Sequence, residues 1–134
     1  MIRYMLDTNI VIYTINNRPD KVRKAFNRHA GQLCISSISY SELIYGIHRS
    51  SMPERNEQDV NGFVANLEIL PFDSAGAAHG GEVRAELART GKPIGAYDAL
   101  IAGHARSRGL ILVTNNTREF RSVAGLRLEN WARG

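Results

Sequence analysis

The chain reads as an α/β protein: a parallel sheet with helices on both faces, a three-layer α/β/α sandwich. Three observations predict this. Strand-like apolar runs alternate with stretches of helical period along the whole length. Leu110-Ile111-Leu112-Val113 is apolar without alternation, as a strand covered on both faces should be. Acidic residues recur where apolar runs stop and helices start, and in an open parallel sheet those points gather along the carboxyl edge.

Tyr4-Met5-Leu6 is the first strand and stops at Asp7-Thr8-Asn9, any of which can cap the helix continuing through Ile10-Val11-Ile12-Tyr13. Asn16-Asn17-Arg18-Pro19-Asp20 is a turn. Asp20 then opens a basic helix with Val22, Ala25 and Phe26 as its apolar stripe, ended by Gly31. Leu33-Cys34-Ile35 is the second strand. Ser39 begins a helix whose inner face is Leu43, Ile44 and Ile47, and Pro53 begins another carrying Val60, Phe63, Val64 and Leu67. Ile69-Leu70-Pro71-Phe72 is a short strand, placed at an edge or a terminus by its proline. Asp73-Ser74 caps a long helix through Val83 and Leu87, closed by Gly91. A loop follows, then a helix from Asp98 to Ser107 with Gly109 at its end, the strand at 110–113, and a weak last strand, Arg127-Leu128-Glu129.

At 134 residues and 43% hydrophobic, the chain is sized for one domain, 1–134, with a core that needs no staples. There is no internal repeat, low-complexity segment or linker. Seventeen Lys+Arg against 13 Asp+Glu give +4, which permits a polyanionic partner without requiring one. Cys34 is the only cysteine, so no intrachain disulfide forms; in a strand-like run it is expected to be buried and inert. No run approaches the roughly 20 apolar residues of a membrane span. The N-terminus enters a strand directly, without a signal-peptide pattern, so the expected location is cytoplasmic with no membrane partner.

Asp7, Glu42 and Asp98 are the candidate catalytic acids, with Asp7 and Asp98 the first choice for metal ligands. Each has a plainer local reading: Asp7 as a helix cap, Glu42 as the acid of a Ser39-Tyr40-Ser41-Glu42 capping box, and Asp98 as another cap. Taken together the plainer reading weakens. Asp7 abuts a buried strand, Asp98 follows an apolar, glycine-rich loop, and no Lys or Arg lies close in sequence to neutralise them. A hard divalent cation would. Glu119 is the fourth candidate acid, read equally well as a solvated helix residue beside Arg118 and Arg121. Thr8, Asn9, Thr114 and Asn116 flank these acids and are the candidate substrate-binding residues, although Thr114-Asn115-Asn116 also suits a turn. His29, His48, His79 and His104 lack zinc spacing, and Cys34 lacks a setting for nucleophilic catalysis. Ala75-Gly76-Ala77-Ala78-His79-Gly80-Gly81 has no P-loop lysine and reads as close helix packing.

Four motifs in this order resemble the PIN-domain family, and within it the VapC-type toxins of bacterial toxin–antitoxin pairs. They are Met5-Leu6-Asp7-Thr8-Asn9, Ser39-Tyr40-Ser41-Glu42-Leu43-Ile44-Tyr45-Gly46, Gly95-Ala96-Tyr97-Asp98-Ala99-Leu100-Ile101-Ala102, and Leu112-Val113-Thr114-Asn115-Asn116 with Glu119-Phe120. The resemblance spans nearly the whole chain. It implies Mg²⁺- or Mn²⁺-dependent RNA cleavage with Asp7, Glu42 and Asp98 as the acidic core. Many relatives place a fourth acid near the last motif; here Asn116 holds one candidate place and Glu119 is the nearest acid. It further implies structured RNA as substrate, tRNA being the favoured class, often cut near the anticodon. The implied partners are a cognate antitoxin that covers the acidic site, a toxin homodimer, and a toxin–antitoxin hetero-oligomer that reaches operator DNA only through the antitoxin. The apolar and small residues of helix 39–49, with Phe63, Val64 and Leu67, are candidate contact surfaces.

Two rivals remain at this stage. Asp7 could be the nucleophile of a metal-dependent phosphatase, although the second aspartate one such class needs two residues on is Asn9 here. A PIN-like module that binds RNA or protein without cutting is the other. The intact Asp7, Glu42 and Asp98 count against it, and Asn116 leaves it some room.

Overall fold

A computed structural model describes residues 1–132. Its elements in chain order are β1 (Tyr4–Leu6), α1 (Thr8–Asn17), α2 (Asp20–Arg28), β2 (Leu33–Ser36), α3 (Ser37–Arg49), α4 (Pro53–Val64), β3 (Glu68–Leu70), α5 (Ser74–Arg89), α6 (Ala96–Ser107), β4 (Ile111–Val113), α7 (Thr117–Phe120) and β5 (Leu128–Glu129). The five strands pair in parallel in the order β3-β2-β1-β4-β5. This is the α/β/α arrangement the alternating pattern predicts.

The strand period of two divides the core. Tyr4, Leu6, Leu33, Ile35, Ile111 and Val113 face one side, under α1 to α4. Met5, Cys34 and Leu112 face the other, under α5 and α6. Cys34 is fully buried, and burial pushes its thiol up to about 12, so it is inert as expected. β1 is central, with β2 on one side and β4 on the other. From β1 the chain steps outward through β2 to β3, and from β4 it steps outward the other way to β5; in a parallel sheet that reversal between β1 and β4 opens a crevice at the strands' carboxyl ends.

Several boundaries differ from expectation. α3 starts at Ser37, not Ser39: Ser36 caps it, its Oγ accepting the Ile38 N–H at 3.1 Å. Ser39 lies inside the helix, buried, with a hydroxyl that has no partner among the described residues. α6 starts at Ala96, two residues before Asp98. α4 ends at Val64, so Leu67 lies beyond it in the approach to β3. β3 ends before Pro71 and forms an edge of the sheet, as the proline requires.

The glycine-rich stretch of α5 does pack closely, against α6. A Cβ on Gly103 would stand 2.3 Å from the Gly80 backbone nitrogen, so the two helices touch main chain to main chain. Arg106 ties the pair further. Its Nε donates to His79 Nδ1 at 3.0 Å, Nη2 to Glu82 at 3.0 Å, and Nη1 to the Ala124 carbonyl at 2.8 Å. His104, fully buried, sits 2.8 Å from Ser36 Oγ through Nδ1, joining α6 to the end of β2; burial holds its pKa down.

Candidate active site

The carboxyl end of β1 places Asp7 at the crevice. Its backbone N–H donates to the Val113 carbonyl of β4 at 3.0 Å, and its side chain caps α1, Oδ1 accepting the Ile10 N–H at 2.7 Å. The cap reading is therefore correct but incomplete. Oδ2 accepts the Thr114 hydroxyl at 2.6 Å from the end of β4. Thr114 Oγ1 in turn accepts the Asn116 N–H at 2.9 Å. Asp7 is 1% exposed, and burial pushes its pKa up to about 6 against the pull of these two hydrogen bonds. The negative charges of Glu119 and Glu42 add to the rise.

Glu42 comes from α3, and the capping-box reading fails. Its Oε1 accepts the Thr8 hydroxyl at 2.6 Å, across 34 residues of chain, while Ser36 takes the cap. Asp98 is not a cap either: Gly95 holds that position, and Asp98 occupies the first turn of α6. Its pKa is pushed up to about 7, first by burial, then by a hydrogen bond to Glu119 and by the charges of Glu119, Glu42 and Asp7. Asn116 Nδ2 donates to Glu119 Oε2 at 2.7 Å. The fourth strand–helix junction thus supplies an acid, Glu119, and an amide that orients it.

Four carboxylates therefore repel one another across one crevice: Asp7, Glu42 and Glu119 from segments that follow strands, and Asp98 from α6, which follows α5 and not a strand as the sequence pattern suggests. Among the described residues none of them pairs with a Lys or Arg. Nor are three Asp, Glu, His or Cys side chains already drawn together into a metal cage. The donor set still fits a hard cation. All donors are carboxylate oxygens, two of the groups have pKa values raised towards neutrality, and no Lys or Arg among the described residues pairs with them. Such an ion would find Asp7 held by two hydrogen bonds and Asp98 fixed on a rigid helix.

Beside the acids lies an open cavity of about 680 Å³, which Thr8, Asn9 and Glu42 line from one side. Asn9 is exposed there, whereas Thr8 is buried and spends its hydroxyl on Glu42. Of the four candidate substrate contacts, Asn9 alone is freely presented; Thr8, Thr114 and Asn116 hold the acids. Tyr45 and Tyr97 line the same cavity and received no role from the sequence reading. The available signal was their position: Tyr45 one turn after Glu42 and Tyr97 immediately before Asp98. Leu43, Ile47 and Val64, among the candidate contact residues, are core. Phe63 and Leu67 are half-buried.

An acidic crevice at the carboxyl edge of a parallel sheet, with threonines bracing its acids, is suited to metal-assisted hydrolysis of a phosphodiester. The PIN domain family model matches residues 4–126. A tRNA(fMet)-specific endonuclease VapC of Shigella flexneri is 58% identical over 98% of this chain and 100% of its own length. A protein of the same description from Salmonella typhimurium is 53% identical over 98% and 99%. Among solved structures, DNA-bound VapBC from Salmonella typhimurium superposes with TM-score 0.95 at 53% identity, covering 98% of this chain and 99% of that one. VapBC2 from Rickettsia felis, bound to a promoter DNA fragment, gives 0.93 at 42% identity over 98% and 99%. The chain belongs to the PIN-domain family, and within it to the VapC ribonucleases.

Proposed function

We propose that this chain is an Mg²⁺- or Mn²⁺-dependent endoribonuclease toxin that cleaves tRNA and so stops translation, with tRNA(fMet) the first substrate to test. The observation that carries this reading is the convergence of Asp7, Glu42, Asp98 and Glu119 on one crevice with no paired cation among the described residues. The two relatives described as tRNA(fMet)-specific support the substrate. The DNA-bound VapBC neighbours support a cognate antitoxin partner and a complex that reaches operator DNA; neutralisation by that antitoxin, and a hetero-oligomer built on a toxin homodimer, are part of the same proposal. Residues 1–134 act as one catalytic unit, the last two lying outside the described residues. Among the described residues no helix is long and apolar enough to cross a membrane, and we place the activity in the cytoplasm with its substrate.

Asp7 and Asp98 hold the metal in this scheme. When bound, a divalent ion supplies charge stabilisation and a more acidic water. The remaining work belongs to the chain. Thr114 fixes Asp7 through Oδ2 and the Ile10 N–H fixes it through Oδ1, which leaves one lone pair on each oxygen for the metal. Thr8 fixes Glu42 through Oε1, leaving Oε2 to accept a proton from the attacking water. Asn116 orients Glu119, which lies against Asp98. Asn9, exposed at the cavity wall, offers an amide to the RNA backbone.

The test is incubation of antitoxin-free protein with tRNA and Mg²⁺ or Mn²⁺. Discrete fragments, abolished by EDTA and by Asp98→Asn, establish a metal-dependent ribonuclease. Hydrolysis of small phosphate esters with tRNA left intact would point to a phosphatase instead.

A further inference from the structure

Two tyrosines at the crevice are the wrong way out for a folded core. Tyr45 is 65% exposed and Tyr97 61%, whereas Tyr4, in the sheet, is 4% exposed. Both line the 680 Å³ cavity that Thr8, Asn9 and Glu42 also line. Each is tied by covalent geometry to a candidate catalytic acid: Tyr45 lies three residues after Glu42 on α3, and Tyr97 immediately precedes Asp98 on α6. One helical turn puts residues three apart on a common face. The guanidinium carbon of Arg49 stands 5.9 Å from the centre of the Tyr45 ring. It sets a cation beside that aromatic surface. An aromatic face with an adjacent cation matches a nucleotide, whose base stacks and whose phosphate needs a counter-charge.

We propose that Tyr45 and Tyr97 are positioning residues that stack unpaired bases flanking the cut, with Arg49 holding the adjoining phosphate, so that the enzyme selects single-stranded loops of its RNA. The inference rests on the ribonuclease reading and deepens it. Bases in a duplex are already stacked on one another and cannot reach a side chain at a cavity wall. Bases in a loop can be splayed onto it. The two tyrosines stand on different helices, so the stretch of RNA between them passes Thr8, Asn9 and Glu42, which line the same cavity. Because stacking needs only the ring faces, the tyrosine hydroxyls contribute little.

The experiment measures kcat and KM on tRNA with saturating Mg²⁺ for the wild type and for Tyr45→Ala, Tyr97→Ala, Tyr45→Phe and Tyr97→Phe. Both side chains are exposed, so the variants fold, which thermal melting confirms. Each alanine raises KM roughly five- to a hundred-fold while kcat stays within about three-fold, from the usual worth of a stacked base. Each phenylalanine restores the wild-type KM. A Tyr45→Trp protein in EDTA gives a direct signal. Its added emission, above the constant contribution of Trp131, is quenched by a single-stranded RNA oligonucleotide and not by the same sequence in a duplex. Unchanged KM in both alanine variants overturns the proposal. So does a phenylalanine that loses as much as the alanine, or a change in oligomeric state by gel filtration with KM intact, which would mark the rings as a protein interface. A wild type that leaves tRNA uncut defeats the ribonuclease reading itself, a result distinct from cutting that ignores the tyrosines.

Discussion

Asp98→Asn should do two opposite things: abolish cleavage and stabilise the metal-free fold. In the folded protein the Asp98 carboxyl is held at about 7 against an ordinary 3.8, by burial and by the acids around it. A raised carboxyl pKa means the folded state keeps a proton that the unfolded chain has released. The protonated group's contribution is intact below pH 3.8. It drains away as pH rises towards 7 and is gone above it. Taken at face value, ionising Asp98 at pH 8 would cost about 4 kcal/mol. The group is only half-buried, and solvent screening reduces this to about 1–2 kcal/mol. Asparagine has the same shape, carries no charge and can donate an N–H to Glu119. The variant should therefore melt about 3–8 °C higher than wild type at pH 8 in EDTA, for a domain of this size. The gap should shrink to little at pH 4.5. Mg²⁺ should then narrow it from the other side, stabilising the wild type by mass action and the variant less. Thermal melts at two pH values, with and without Mg²⁺, decide the matter. A variant less stable than wild type at pH 8 in EDTA, or a gap indifferent to pH, would refute the claim that the acids strain one another.

Three further outcomes are expected. Metal affinity and cleavage should both fall as pH drops from 8 through 7 to 6, where protons compete for Asp98 and then Asp7; isothermal titration of Mn²⁺ and initial rates across that range should follow one another. Thr114→Val removes a buried donor from Asp7 and a buried acceptor from the Asn116 N–H, and should destabilise by about 1–3 kcal/mol. Because that hydroxyl lowers the Asp7 pKa, the rise of activity with pH should also move to higher pH, which a valine of purely structural effect would not produce. Gly103→Ala should cost about 3 kcal/mol, since its methyl meets Gly80 main chain. Gly80→Ala should cost less, because its nearest obstacle, at 2.8 Å, is the tip of Leu100; urea melts of the two should rank them so.

The features legible in the sequence were local ones. Asp7 reads as a cap because Asp before an apolar helix accepts a nearby N–H, and it does. Pro71 reads as an edge because it has no N–H for a ladder, and β3 is an edge. The glycines of α5 read as close packing because only glycine lets backbones touch. Errors arose where several residues could do one job. Ser36, Ser37 and Ser39 can each cap a helix. Ser36 does so, and it is also the serine that His104 of α6 meets, a contact 68 residues away in sequence. The Thr8–Glu42 and Thr114–Asp7 bonds span 34 and 107 residues, so no local pattern announces them. Without them Glu42 looks like half of a capping box and Thr114 like turn chemistry. Tyr45 and Tyr97 are not legible for another reason: sequence shows an aromatic residue without showing which side of the wall it is on.

The contact between Gly80 and Gly103 has a consequence for the chemistry some distance away. Mutually repelling groups ordinarily relax by drifting apart. Here α6 meets α5 at their backbones, is clamped to it again by Arg106, and is tied to the end of β2 through His104 and Ser36, so the helix that carries Asp98 is held in place. Asp7 is equally anchored, by α1 and by β4. With retreat closed to both partners, the charge can be relieved only by something arriving: a proton in acid, a metal ion near neutrality. A pair of glycines thus converts electrostatic discomfort into appetite for a cation.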